Sequence, residues 1–200
     1  MFQAVRAVLS LESGEKLGVG YAGSRNSGVP PPFLHTKWGL FPITVFLFSA
    51  VFLLSSTIPL EKSFAEEIYA SVMESISFTG PLDIFVHNLA LSIIMMIPVV
   101  GFGFSMISSS TTGVAISAVS TLKNLNSLSL AIRLLSTPSG ILEFLAYGFA
   151  SAQGLAGLFA IVEKRVSREL RGYLSTLLVV GSLLLAAAFI ETTLSLTPSI

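Results

Sequence analysis

Residues 84–122 read IFVHNLALSIIMMIPVVGFGFSMISSSTTGVAISAVSTL, a run of 39 residues without Asp, Glu, Lys or Arg. One membrane-spanning helix needs about 20 predominantly apolar residues, so this run is nearly long enough for two. Pro98, Gly101 and Gly103 fall near its middle, where proline removes a backbone donor and glycine permits a tight turn. We therefore predict a break at these three residues, with helices on either side at 82–99 and 103–120.

The composition of the whole chain points to a membrane protein. Of 200 residues, 52% are hydrophobic and 11% are charged, and the mean hydropathy is +0.83. Soluble domains carry about 25% charged residues, so a chain this apolar needs lipid to cover its surface. The formal net charge is zero, which removes the electrostatic case for nucleic-acid binding. No cysteine is present, which excludes disulfides and thiolate metal sites.

Three further windows without Asp, Glu, Lys or Arg complete the predicted architecture. Together with the two helices above, they predict an all-α, polytopic membrane helix bundle with five transmembrane helices. The predicted helices are 38–57, 82–99, 103–120, 140–161 and 172–193.

The distribution of basic residues predicts the orientation of the bundle. The segment before the first helix carries four of the eleven Lys and Arg residues, and the loop EKRVSRELRG at 163–172 carries four more. With five crossings, both segments lie on one side, which the positive-inside rule makes cytoplasmic. We expect a multi-pass protein of the cell membrane with a cytoplasmic N-terminus and an external C-terminus.

The remaining segments flank a single membrane domain at 38–200. Residues 1–37 are predicted to be a cytoplasmic tail, whose stretch GYAGSRNSGVPPPF has the composition of a flexible linker. Residues 59–80 and 121–137 alternate apolar and polar residues at helical spacing. They are predicted to be amphipathic segments lying at the outer membrane surface.

Glu143 is the only charged residue between Arg133 and Glu163. A carboxylate in hydrocarbon costs several kcal/mol unless it is neutral, paired or near water. The predicted spans place His87, Glu143 and Glu191 within about 10 Å of the outer interface, at 1.5 Å per helical residue, and Asp83 and Asn88 at the outer start of the second span. The candidates are Asp83, His87, Asn88, Glu143 and Glu191.

Two interpretations of these polar residues stay open. They form a shared site for protons, a weakly bound metal or a partner, or each one snorkels to the interface or bonds a neighbouring helix end. Glu143 also falls in the first turn of the predicted helix, where free amides and the helix dipole stabilise a carboxylate, and Ser139 is a candidate cap. The spacing of these residues matches no recognised metal motif, and we expect neither a metal nor a cofactor.

Ala146, Ala150 and Gly154 recur every four residues along the fourth predicted span, and Gly157 follows. Small residues at this spacing allow close contact between helices. We expect this stripe to pack within the monomer, with homo-oligomerisation as the alternative.

Three stretches resemble the stage II sporulation protein M family of integral membrane proteins. They are IFVHNLALSIIMMIPVVGFGFSMISSSTTGVAIS at 84–117, TPSGILEFLAYGFASAQGLAG at 137–157 and AAAFIETTLSLTP at 186–198. The resemblance covers roughly residues 82–198. The residues at the family's motif positions are Asn88, Gly140, Glu143, Ile190, Glu191 and Pro198.

Two departures from the family pattern are visible. Ser139 stands where the family usually has histidine, and EFLA replaces the usual ELPA. Any role that depends on that histidine therefore does not carry over to this chain. The resemblance implies a membrane scaffold, because the family's namesake partners cell-wall hydrolases during engulfment in spore-forming bacteria. Since related proteins occur in organisms that do not sporulate, the sporulation role is not transferred.

Two functions follow as hypotheses. The first is a non-enzymatic membrane scaffold or partner-binding subunit, whose partners are the lipid bilayer and other membrane or envelope proteins. The second is a small transporter, channel or transporter subunit with a polar site near the outer leaflet. An enzyme is the least supported class, because the sequence has no Ser-His-Asp order of catalytic residues, no phosphate-binding loop and no metal motif.

Overall fold

The computed structural model describes residues 33–75, 80–164 and 166–196. Within this part of the chain, every regular element is a helix. After a short 3-10 turn at Phe33–His35, the chain forms seven α-helices. They are α1 (Lys37–Ser56), α2 (Lys62–Ser75), α3 (Pro81–Met95), α4 (Gly101–Lys123), α5 (Ser127–Leu135), α6 (Pro138–Val162) and α7 (Val166–Leu196).

Four of the described helices are long and apolar enough to cross a membrane. They are α1, α4, α6 and the part of α7 from Arg171 to Thr193. Their bounds agree with four of the five predicted spans to within a few residues. The predicted tail lies almost wholly in residues 1–32, outside the described part of the chain.

The second predicted span is shorter than expected, because α3 ends at Met95 rather than at 99. Its 15 residues measure about 22 Å, less than the roughly 30 Å of a bilayer's hydrocarbon core. Pro98 explains the early end, since it disfavours helical geometry in the residue before it. Val99 then takes a positive φ of 72°, which turns the chain into α4.

The predicted break is therefore present and is centred on Pro98. Gly101 is the first residue of α4, and Gly103 lies in its first turn. Gly101 sits against the last turn of α3, where an added Cβ would meet the Met95 carbonyl. Gly103 has no atom within 4 Å of where its Cβ would be. Only the first of these two glycines is required by packing.

α6 is the central helix of the bundle. It packs most extensively against α7 and α1, and it also contacts α3, α4 and α5. Two-thirds of its span is buried, compared with 39% for α1 and 28% for α4. Thr137 caps its start by accepting a 3.0 Å hydrogen bond from the Gly140 amide, and Pro138 occupies the first helical position.

Hydrogen bonds from side chains of one helix to carbonyls of another show the relative directions of the helices. Ser109 on α4 donates a 2.6 Å hydrogen bond to the Phe48 carbonyl on α1, and Ser117 bonds Ile58, so α1 and α4 run parallel. The chain must return to the beginning of the bundle between them, and α3 makes that return. We call the end where α1 begins the Lys37 end, and the opposite end the Glu143 end.

α3 runs parallel to α6 and stops short of the end of α6. At its beginning Asn88 bonds Glu143, and at its end the Met95 carbonyl lies against Gly154. Gly154 is eight residues, about 12 Å, before the end of α6. The turn between α3 and α4 lies against Gly154 and Gly157 of α6, and its residues Ile97, Val99 and Val100 are exposed.

Each of the two predicted amphipathic segments contains a helix. α2 occupies Lys62–Ser75 and packs against α4. α5 occupies Ser127–Leu135, begins at the Asn126 cap and buries Ala131 against the core. Both helices lie at the Glu143 end, because each follows a helix that ends there.

Candidate functional site

Asn88, Glu143, Tyr147 and Glu191 form a polar cluster at the Glu143 end, which we call the Glu143 site. The Asn88 Nδ2 donates a 3.1 Å hydrogen bond to Oε1 of Glu143. Glu191 on α7 lies close enough to Glu143 for the two charges to interact. Tyr147, one turn further along α6, is in electrostatic range of both carboxylates.

Three of the predicted polar residues, Asn88, Glu143 and Glu191, are thus brought together from three different helices. Asp83 and His87 instead lie on an exposed face of α3. Because consecutive helical residues point about 100° apart, His87 and Asn88 cannot both face α6. The depth of these residues was predictable from the span pattern, but which helix face turned inward was not.

The expected helix-start role for Glu143 is wrong. α6 begins at Pro138, two residues earlier than predicted, and its first turn contains no acidic residue. Helix-dipole stabilisation falls off within that first turn. The Glu143 carboxylate is held by an interhelical hydrogen bond instead. Thr137, rather than Ser139, supplies the cap.

A second polar cluster, which the sequence reasoning missed, lies at the Lys37 end. We call it the Lys37 network, and it contains Lys37, Gln153, Glu169 and Thr176. The Lys37 ammonium donates to the Gly172 carbonyl at 3.0 Å and to Thr176 Oγ1 at 3.0 Å. Thr176 Oγ1 in turn donates to Oε1 of Gln153 at 2.8 Å.

Gln153 links this network to the central helix. It is completely buried, and its Nε2 lies 3.4 Å from the Glu169 carboxylate. A buried amide needs hydrogen-bond partners, and here both ends of the amide have one. The sequence did contain a signal, because Gln153 is an amide near the middle of a predominantly apolar span. The Lys37 network ties α1, α6 and α7 together.

A further contact closes the same end of the bundle. The His35 Nδ1 lies 2.6 Å from a Glu163 carboxylate oxygen, and its ring stacks on Phe159 at 4.5 Å between centroids. This pair joins the residues just before α1 to the turn between α6 and α7.

The small-residue stripe lies in the centre of the bundle. Ala146, Ala150, Gly154 and Gly157 are all buried within the chain. An added Cβ on Gly154 would lie 2.5 Å from the Met95 carbonyl oxygen. The absence of a side chain at this position lets the backbones of α3 and α6 touch.

These features define a helical membrane protein in which polar residues of different helices form hydrogen bonds with one another inside the bundle. The chain belongs to the stage II sporulation protein M family, since the family's model matches residues 40–196. This confirms the resemblance and extends it towards the N-terminus to include α1. No curated protein and no solved structure matches the chain.

The family motif positions can now be located in the fold. Asn88 and Glu143 bond each other, Glu191 is their neighbour, and Gly140 packs against the Leu134 carbonyl at the turn between α5 and α6. Ser139, which replaces the usual histidine, lies 3.4 Å from the Thr137 hydroxyl. Pro198 falls outside the described residues.

Proposed function

We propose that this protein is a non-enzymatic scaffold of the cell membrane, which binds other membrane or envelope proteins. The observation that carries the proposal is the closed packing around α6. Small residues let neighbouring backbones touch it at several heights. Gly148 lies against Val45 of α1, and Gly154 against Met95 of α3. A bundle whose central helix is packed in this way suits a rigid platform better than a conducting pore.

The polar side chains of the bundle support the same proposal. Thr44 on α1 donates a 2.7 Å hydrogen bond to the Gly148 carbonyl, and Ser109 on α4 bonds Phe48. Hydroxyls at these positions connect helices to one another instead of lining a wet path. We assign no catalytic activity, because the sequence offers no nucleophile–base pair, phosphate loop or metal motif.

The proposal includes five membrane crossings with the N-terminus in the cytoplasm and the C-terminus outside. The parallel directions of α1 and α4 support it, since the chain must return between them through α3. The basic residues at 164–171 and before α1 then share the cytoplasmic side. Because α3 is short, its crossing is completed by the turn at 96–100.

The height of α2 supports an interfacial position for Glu143. α2 contacts α4 around Gly113, where an added Cβ would lie 2.5 Å from the Phe52 carbonyl oxygen. The Phe52 ring is 5.1 Å from that of Phe144, the neighbour of Glu143. We infer that Glu67, which lines the groove between α2 and α4, lies near the height of Glu143. Exposed carboxylates avoid hydrocarbon, so headgroups or water are expected at this height.

The scaffold proposal is tested by isolating the protein with its partners. A tagged full-length chain is expressed in its own organism at native level and purified in a mild detergent, and co-purifying proteins are quantified by mass spectrometry. We expect specific membrane or envelope proteins that are absent with an unrelated five-span protein of equal abundance. Recovery of the chain alone, in several detergents and after crosslinking, would contradict the proposal.

Transport remains the second candidate, and the Glu143 site is the observation that favours it. Two neighbouring acidic groups at membrane depth are a frequent feature of proton and cation pathways. The test is ion flux in proteoliposomes, comparing the native chain with Glu143→Gln, which keeps an acceptor for Asn88. Flux that depends on Glu143 would favour the transporter over the scaffold.

A further inference from the structure

α2 is the least integrated helix of the described chain. It contacts one other helix, α4, whereas α6 contacts five. Among residues 62–74 of this helix, Ala65 alone is fully buried. Two large apolar side chains remain exposed, Phe64 at 51% and Met73 at 48%. One face of α2 is therefore covered by α4, and the rest is available to another molecule.

The charge of this exposed surface is strongly one-sided. Four glutamates lie on α2 or immediately before it, against a single lysine, Lys62. All five side chains are exposed, and none of the four carboxylates forms an ion pair with any residue that the structure describes. The four glutamates are Glu61, Glu66, Glu67 and Glu74.

This charge pattern is the reverse of that on most helices that lie on bilayers. Helices that lie on bilayers carry Lys and Arg on their polar faces, because anionic lipid headgroups attract positive charge. α2 presents the opposite charge beside exposed aromatic and thioether groups. Its surface is instead complementary to a positively charged protein segment.

A groove between α2 and α4 fits the same kind of occupant. Its volume is about 390 Å³. Phe64, Ile68 and Val72 line it on α2, together with Glu67 and Ser71, and Thr111 lies on the α4 side. The long aliphatic stem of a Lys or Arg side chain packs well on apolar groups while its charged head reaches a carboxylate. Here the carboxylate is that of Glu67.

We propose that α2, with its groove against α4, docks a basic amphipathic segment of a partner protein. This deepens the scaffold proposal and rests on it, since it names the surface and the chemistry by which the partner is held. Basic side chains of the partner pair with Glu66, Glu67 and Glu74, and apolar ones pack on Phe64 and Met73.

The test is site-specific photocrosslinking in intact cells, with the crosslinked peptides sequenced by mass spectrometry. A photoreactive residue replaces Ser71 in the groove, and matched positions are placed at Val86 on α3 and Ser182 on α7. We expect Ser71 to capture a Lys- and Arg-rich segment of a defined protein. In the Glu66→Gln/Glu67→Gln/Glu74→Gln variant this product is expected to fall at least tenfold, whereas Lys62→Gln leaves it unchanged or increases it.

The outcomes separate the two proposals. If Val86 or Ser182 captures a protein while Ser71 captures only lipid, or a segment without basic residues, the docking surface is wrong and the scaffold stands. If no position captures any protein, both proposals are overturned. If the Ser71 product persists undiminished in the triple glutamine variant, charge complementarity is wrong.

Discussion

The Asn88 side-chain amide on α3 donates a hydrogen bond of 3.1 Å to the Glu143 carboxylate on α6. It links the shortest of the five helices that run along the bundle to the central one. The two residues are 55 positions apart in sequence and lie in separate motifs of the family resemblance.

The first prediction concerns the strength of this link. Asn88→Ala should lower the free energy of unfolding by about 0.5–2 kcal/mol, the range of interhelical hydrogen bonds in membrane proteins. A double-mutant cycle with Glu143→Ala should give a coupling energy of similar size, measured by denaturant unfolding in detergent. Val86→Ala, an exposed position on the same helix, is the control and should show no coupling with Glu143→Ala. Strict additivity of Asn88→Ala and Glu143→Ala would mean that the hydrogen bond contributes nothing.

The second prediction concerns backbone contact at α6. Gly154→Ala should destabilise the bundle by about 1–3 kcal/mol, because its methyl group would overlap the Met95 carbonyl and force the helices apart. Gly181→Ala on α7 is the matched control, since no atom lies within 4 Å of the added Cβ. It should be neutral or stabilising by up to about 1 kcal/mol, because alanine favours helix. The measurement is thermal unfolding in detergent, and equal effects of the two changes would contradict the packing argument.

The third prediction concerns the Lys37 network. Thr176→Val keeps the side-chain shape but leaves Oε1 of the buried Gln153 without its donor, which should cost about 1–3 kcal/mol. Adding Gln153→Leu should cost less than the sum of the two single changes, because the unsatisfied amide is removed. Ser182→Ala, whose hydroxyl is exposed and bonds its own helix, should change stability by less than about 0.5 kcal/mol. A double variant as costly as the summed singles would show that the pair is not coupled.

The fourth prediction concerns the proposed topology. The chain has no cysteine, so single cysteines introduced into it report accessibility without background. Thr57→Cys and Leu125→Cys should react with a membrane-impermeant maleimide in intact cells, and Lys164→Cys only after permeabilisation. Reaction of positions 57 and 125 from opposite sides would show that α3 does not complete a crossing.

The helix content and the break in the 39-residue apolar run were predictable from the sequence, because they depend on local chemistry. Hydrocarbon length sets the number of apolar residues in a span, and Pro98 stops a helix wherever it occurs. The end of α3 was misplaced by four residues, since proline disturbs the turn before it. Glu143 was identified because a lone carboxylate in an apolar run is costly, whatever its neighbours are.

What surrounds each polar residue was decided by tertiary structure. The sequence placed His87, Glu143 and Glu191 at a similar depth, but depth does not determine which side chains meet. The rotation of α3 turns Asn88 towards α6 and leaves His87 exposed. In the same way, only the packing of α1 and α7 on α6 brings Lys37 to Thr176, 139 positions away.

The sequence by itself determined that this chain is a helical membrane protein, which family it resembles and where its costly polar groups lie. Those properties follow from the free energy of transferring each segment from water to lipid, and that free energy depends on the residues of the segment alone. Tertiary structure decided that Glu143 bonds Asn88 rather than a helix end, that α6 is the central helix and that α2 has an exposed acidic face. Those properties depend on how helices rotate and approach one another, and that is set by all the contacts of the bundle together.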